Sequence, residues 1–332
     1  MEDFRSLALA PVPDHRDAVA STRARESALT KPPGSLGRLE EIALWLTTVT
    51  GKAPPKVASP RVVIFAAAHG IAEEGVSAYP SSVNAQMLEA FQKGKAAINQ
   101  ICTAGGIGLS VFDLAVDVPS GNIAREDAFA SPKATAATMA FGLEAIAGGV
   151  DCLALGEMGI ANTAVAAALY AALFGGTGLD WCGAGTGVSG TALQRKIDAV
   201  DMALARVEGE SDPLVLLQRI GGREIAAMVG AILAARNQSV PVVVDGFVAT
   251  AAAAVVYALS PDAIAHCIFA HKSAEAGHER ALEVMGVRPL LDLGMRLGEG
   301  TGAALALSII KAAAGCHSGM ATFSEAGVDG PV

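Results

Sequence analysis

From Arg61 onward, short apolar runs rich in β-branched residues alternate with longer Ala-rich stretches. The runs fall at Val62–Phe65, Leu109–Leu114, Val150–Leu155, Val240–Val244, Ile264–Phe269 and Pro289–Leu293. Apolar runs separated by helical patterns predict βαβ units: a mainly parallel sheet covered by helices on both faces. Thr191–Val207 and Ala303–Ala314 read as helices. Ala164–Phe174 and Phe247–Leu259 are apolar but largely Ala, and they fall short of the ~20 residues that cross a bilayer, so they read as buried helices. Residues 1–59 follow another rhythm. Prolines punctuate them and bracket one amphipathic pattern, Leu36, Leu39, Ile42, Ala43 and Leu46, which predicts a helical arm ahead of the main domain. No repeat of solenoid period is visible.

Composition narrows this picture. The chain has 332 residues, 52% of them apolar and 17% charged, which excludes intrinsic disorder. Aromatics are 5% and Gly numbers 37, so the core is expected to be Ala, Val, Leu and Ile with close backbone packing. The net charge of −9, with no Lys/Arg-dense block, argues against nucleic acid as a partner. The start, MEDFRSLALA, lacks the basic and apolar regions of a secretory signal, and no membrane partner is expected. Five Cys with no CxxC give neither a disulfide framework nor a zinc site, and no HExxH appears. A cytoplasmic enzyme without metal or cofactor is the expectation.

Right-handed crossovers place every strand's carboxyl end on one edge of the sheet, where open α/β folds bind ligands. Each run there ends in polar or ionisable residues beside small ones: His69-Gly70, Gly156-Glu157-Met158-Gly159, Asp245-Gly246, His271-Lys272-Ser273 and Gly298-Glu299-Gly300-Thr301-Gly302. Gly185, Gly187 and Gly190 have GxGxxG spacing, the motif of a nicotinamide-dependent oxidoreductase. The residues before them are a Gly-rich loop rather than a strand. A single phosphate at the following helix is the broader reading, with Lys196 as point charge; a tight turn with a solvated lysine is the alternative. Glu299, set among glycines, reads either as a dipole partner of the helix behind it or as a partly desolvated base. Glu157 repeats the pattern. His271 reads as a ligand contact or a plain strand-end histidine. Without a GxSxG elbow or a Cys–His pair, nucleophilic catalysis is disfavoured. A protein that only binds a nucleotide is the non-catalytic alternative.

Seven segments in order resemble one family, the nicotinate-nucleotide–dimethylbenzimidazole phosphoribosyltransferases of cobalamin biosynthesis: KPPGSLGRLE (Lys31–Glu40), AAAHGIAEEGVSAYP (Ala66–Pro80), GEMGIANTA (Gly156–Ala164), GAGTGV (Gly183–Val188), DGFVATAAA (Asp245–Ala253), HKSAEAGH (His271–His278) and LDLGMRLGEGTGAALAL (Leu291–Leu307). The resemblance implies a Rossmann-like sheet without a dinucleotide, and a small helical domain built from the termini. Residues 1–59 and 313–332 would form that domain around a 60–312 α/β core. It implies a homodimer whose substrates are nicotinate mononucleotide and 5,6-dimethylbenzimidazole and whose products are α-ribazole 5′-phosphate and nicotinate. Glu299 would be the catalytic base. Glu157, Gly159, Gly185, Lys196 and Ser273 would surround the ribose phosphate, with Ser77, Tyr79, Gln86 and Leu297 near the aromatic base. The family pattern has an acidic residue before His69, where this chain has Ala68.

Overall fold

A computed structural model describes residues 1–185 and 187–330. Among them, five strands form one sheet: β1 Pro60–Ala66, β2 Gly108–Asp113, β3 Cys152–Met158, β4 Val242–Val244 and β5 Cys267–Phe269. All neighbours are parallel, in the order β2-β1-β3-β4-β5. This is a doubly wound order whose direction reverses between β1 and β3, so a crevice is expected beyond the carboxyl ends of those two strands.

Alternate strand residues enter two separate cores. On one face Val63, Phe65, Leu153, Leu155, Val242 and Val244 meet the helices Asn162–Phe174, Arg223–Asn237 and Phe247–Leu259. On the other, Val62, Ile64, Ala66, Ala154 and Val243 meet Arg38–Thr50, Ala97–Gly105 and Thr301–Gly319. Central strands buried on both faces explain the unbroken apolar runs in the sequence. The two Ala-rich helices are buried, as their composition suggests, and no helix among the described residues is long and apolar enough to cross a membrane.

Three expectations need correction. Pro289–Leu293 forms no strand and contributes only a single bridge, Leu291 to His271. Pro289 has no N–H for a ladder, and Gly294 at φ +66° turns the chain away soon afterwards. The third strand extends to Met158, so Glu157 lies in it rather than after it. The residues from Ile264 to His266 precede β5, because Pro261–Ile264 closes a short 3₁₀ turn.

In the arm, Leu36 stands ahead of the helix Arg38–Thr50, which buries Ile42, Ala43 and Leu46. The arm is tied to the last long helix. Arg25 donates to the carbonyls of His317 at 3.0 Å and Met320 at 2.8 Å, placing a cation at that helix's negative end. Lys31 Nζ lies 2.7 Å from both Glu26 and Glu40, and Glu26 also meets His317 Nδ1 at 2.7 Å. Thr301–Gly319 runs unbroken through residue 312.

Candidate active site

The crevice is where the strand order places it. One lobe, partly open to solvent, is lined by Glu157, Gly159, Gly185, Ser273 and Leu297 of the expected site residues. Met158, Ile160, Phe247 and Val248 give it apolar walls suited to flat rings. A smaller lobe contains Ser77 and Lys196, and shares Gly159, Ile160, Asn162, Thr163 and Gly185 with the first. Seven of the ten expected residues thus line one continuous cleft. Glu299 follows Gly298, which lines the larger lobe, but is not itself in its wall. Tyr79 and Gln86 lie in neither lobe. Tyr79 is half exposed, its amide 3.3 Å from Ser77 Oγ, and Gln86 is exposed on the helix Val83–Gln92.

Glu299 sits on a backbone of unusual shape. Gly298, Glu299 and Gly300 all have positive φ, +83°, +63° and +76°. A left-handed Glu is uncommon and costs strain, and such strain clusters at functional sites. Close approach to the sheet sets the loop's course: a Cβ on Gly156 would lie 2.6 Å from the Gly300 nitrogen, so only glycine lets the loop rest on β3. Asp245, just beyond β4, anchors it by accepting from the amides of Gly300 at 3.1 Å and Ala303 at 2.8 Å. Glu299 is 6% exposed and its Oε2 has no hydrogen-bond partner. Burial, then the negative charge of Asp245, pushes its carboxyl up to about 7. That carboxylate can hold a proton or release it at neutral pH.

Glu157 is more extreme. Burial first, then the charges of Glu224 and Asp245, raise it to about 8, against a hydrogen bond from Asn162 Nδ2. A carboxyl raised in this way takes up a proton more readily than an ordinary glutamate, and when protonated it is an O–H donor in the cleft wall. Asp245 is pulled both ways: burial raises its carboxyl, while His271 and the amides of the Glu299 loop lower it. His271 Nε2 stands 3.7 Å from Asp245, and the residue lies two positions past β5 and lines the cleft.

Lys196 is not a solvated lysine. It is fully buried, its Nζ donating to Thr163 Oγ1 at 2.9 Å and to the Gly183 carbonyl at 3.0 Å. Burial lowers its pKa, with Glu275 and Cys182 acting in the opposite sense. The loop carrying Gly185 and Gly187 follows a short helical turn, Gly178–Trp181, not a strand, so the context of a dinucleotide fingerprint is missing. Thr186 of that motif lies outside the described residues. Ser273 is set by its neighbour in the HKSAEAGH segment: its amide donates to His278 Nδ1 at 2.8 Å, leaving His278 Nε2 to Thr250 Oγ1 at 2.9 Å. All five cysteines are free, and burial holds the Cys182 thiol, beside Lys196, up to about 11, far from a thiolate nucleophile. Among the described residues no three His, Cys, Asp or Glu side chains are placed to hold a metal ion.

Several residues escaped the sequence reading. Asn162 and Thr163 begin the helix after β3, a strand–helix junction whose position alone was a signal. Arg296 and Glu275 line the larger lobe from motifs already singled out. Glu224 gave no local sign. From the helix Arg223–Asn237, 155 residues further along the chain, it meets His69 Nε2 at 2.8 Å.

A doubly wound sheet with a Gly-lined cleft, one buried lysine and an unpaired carboxylate of raised pKa make up the candidate site, and comparison with known proteins places it in a transferase. The family model described as "Phosphoribosyltransferase" matches residues 12–328. The nicotinate-nucleotide–dimethylbenzimidazole phosphoribosyltransferase of Brucella anthropi is 59% identical over 99% of this chain and 97% of its own length. The enzyme of that name from Sinorhizobium medicae is 59% identical over 100% and 98%. Among solved structures, CobT from Thermus thermophilus superposes with a TM-score of 0.89 at 41% identity, covering 95% of this chain and all of that one. The chain belongs to the nicotinate-nucleotide–dimethylbenzimidazole phosphoribosyltransferase family.

Proposed function

We infer that this chain transfers the 5-phosphoribosyl group of nicotinate mononucleotide to 5,6-dimethylbenzimidazole, giving α-ribazole 5′-phosphate and nicotinate for the lower ligand of cobalamin. The observation that carries the chemistry is Glu299: buried, unpaired, raised to about 7, and one residue from the cleft wall.

The C1′–N bond breaks with its electron pair returning to the pyridine nitrogen, so the leaving group needs no acid. One azole nitrogen gives its lone pair to C1′, and positive charge spreads over the benzimidazole. Its N–H acidifies as this happens, and Glu299 takes that proton. The carboxylate therefore binds the transition state more tightly than the ground state. Lys196 and the Gly185 backbone hold the phosphate, with Gly159 and Ser273 along the sugar. Protonated Glu157 donates to a ribose oxygen, and Ser77 and Leu297 flank the azole. Tyr79, on the loop that the Ser77 hydrogen bond ties down, and Gln86, on the helix Val83–Gln92, serve the azole from outside the cleft, as the family resemblance implies. Holding both substrates in line contributes up to roughly 7–11 kcal/mol.

On the same reading the enzyme is a cytoplasmic homodimer, with residues 1–59 and 313–332 forming a small helical domain beside the 60–312 core. The Arg25 and Glu26 contacts between arm and C-terminal helix support that grouping. The deciding experiment incubates purified protein with both substrates. Nicotinate and α-ribazole 5′-phosphate should appear in equal amounts; no nicotinate release would overturn the reading.

A further inference from the structure

The substrate carries two separate anionic groups, a phosphate and the carboxylate on its leaving ring. The two lobes of the cleft hold one cation each: Lys196 in the smaller and Arg296 in the larger. Lys196 is enclosed beside the Gly183–Gly185 backbone, whereas Arg296 stands at the exposed rim, its Nη1 donating to the Gly185 carbonyl at 2.7 Å. That contact fixes the guanidinium across the mouth of the lobe and occupies one of its five N–H donors. Among the described residues no carboxylate forms an ion pair with it, although Glu157 and Glu275 line the same lobe. A planar, permanently charged fork with free donors, set over apolar walls, matches a carboxylate on a flat ring.

We propose that Arg296 recognises the carboxylate of the nicotinate ring and thereby selects nicotinate mononucleotide over its uncharged-side-group counterpart, nicotinamide mononucleotide. This deepens the proposed function and rests on it. The chemistry adds a reason beyond binding. In the bound substrate the pyridinium charge offsets the carboxylate, and the ring with its substituent is neutral overall. As the C1′–N bond breaks, the electron pair neutralises the ring nitrogen, and the leaving group becomes a net anion. Attraction to Arg296 therefore grows along the reaction, so the residue aids departure as well as affinity. For nicotinamide the leaving ring passes from cation to neutral, and Arg296 opposes it in the ground state.

The test measures kcat/KM for both mononucleotides, with dimethylbenzimidazole as acceptor, in the wild type, Arg296→Gln and Arg296→Lys. The ratio of the two values within one preparation is independent of the fraction folded. In the wild type the ratio favours the nicotinate nucleotide. In Arg296→Gln its activity falls about 10- to 100-fold, the worth of a charged hydrogen-bonded pair, with kcat as well as KM affected, while the nicotinamide nucleotide holds or improves. Arg296→Lys, with charge but no fork, falls between. Equal losses for both nucleotides would mean that Arg296 serves the phosphate or only steadies the Gly185 loop, and would overturn the proposal. So would an unchanged ratio in Arg296→Gln, or no preference in the wild type. A wild type inactive on nicotinate mononucleotide would instead sink the proposed function itself.

Discussion

At the junction of the arm with the last long helix, Glu26 and Glu40 each lie 2.7 Å from Lys31, and His317 closes the group. At the sheet rim, Glu157, Asp245 and Glu299 crowd one corner without a cation paired to either glutamate among the described residues, and His271 stands 3.7 Å from Asp245. The same residue type leaves water in both places, with opposite outcomes. Burial raises Glu40 too, but the bonds from Lys31 and the Leu36 amide outweigh it and hold its carboxyl below the usual range. At the rim nothing outweighs burial, and the neighbours are like charges. A paired buried charge holds elements together; an unpaired one stores basicity that a reaction can use.

The largest effect should come from the rim. Glu299→Gln keeps size and hydrogen bonding but cannot take a proton. Turnover is expected to fall about 10³-fold, within the range for losing a general base, while calorimetry still shows both substrates binding. Glu299 also lies in a strained backbone, so near-normal folding of the variant, read from its circular dichroism, accompanies that result.

The junction should fail differently. Lys31→Met leaves Glu26 and Glu40 facing each other without their cation, and thermal or denaturant unfolding should show a loss of roughly 3 kcal/mol. Adding Glu40→Gln to that variant should restore part of it, because the two changes remove one interaction. Fully additive losses would mean that the ion pairs do not hold the arm.

The finest contrast is in pH. Glu157 binds its proton more tightly folded than unfolded. Its contribution is therefore fully present below about 4.5 and is lost as pH rises toward about 8. Glu40 has the opposite sign: its contribution is present above the unfolded carboxylate value and disappears as pH falls through its lowered folded value. Glu157→Gln should flatten the decline in stability between pH 5 and 8, worth on the order of 3 kcal/mol, leaving the acid side unchanged. An equally steep decline in the variant would place the penalty elsewhere.

Much of this was legible in the chain itself, for reasons of period and punctuation. Strands buried on both faces cannot hide their apolar runs, and residues at their carboxyl ends share an edge by topology, which brought Glu157, Ser273, Gly159 and Asp245 into view together. Pro289–Leu293 misled because an apolar run carries no information about whether its N–H groups find a ladder. The paired state of Lys196 was invisible, since Thr163 and Gly183 approach it from other elements. Glu224 could not be found from local spacing at all. Tyr79 and Gln86 rested on resemblance alone, and the cleft does not gather them.

The central claim is that Glu299 itself carries the proton away from the azole. The most direct test compares the pH dependence of kcat, at saturating substrates, in the wild type and Glu299→Gln. The wild type should lose activity about tenfold per unit below about pH 7, and the residual activity of the variant should lack that limb, because a limb caused by protonation of the azole would persist in both. A wild-type profile flat down to pH 5, or a variant that keeps both the limb and the rate, would contradict it.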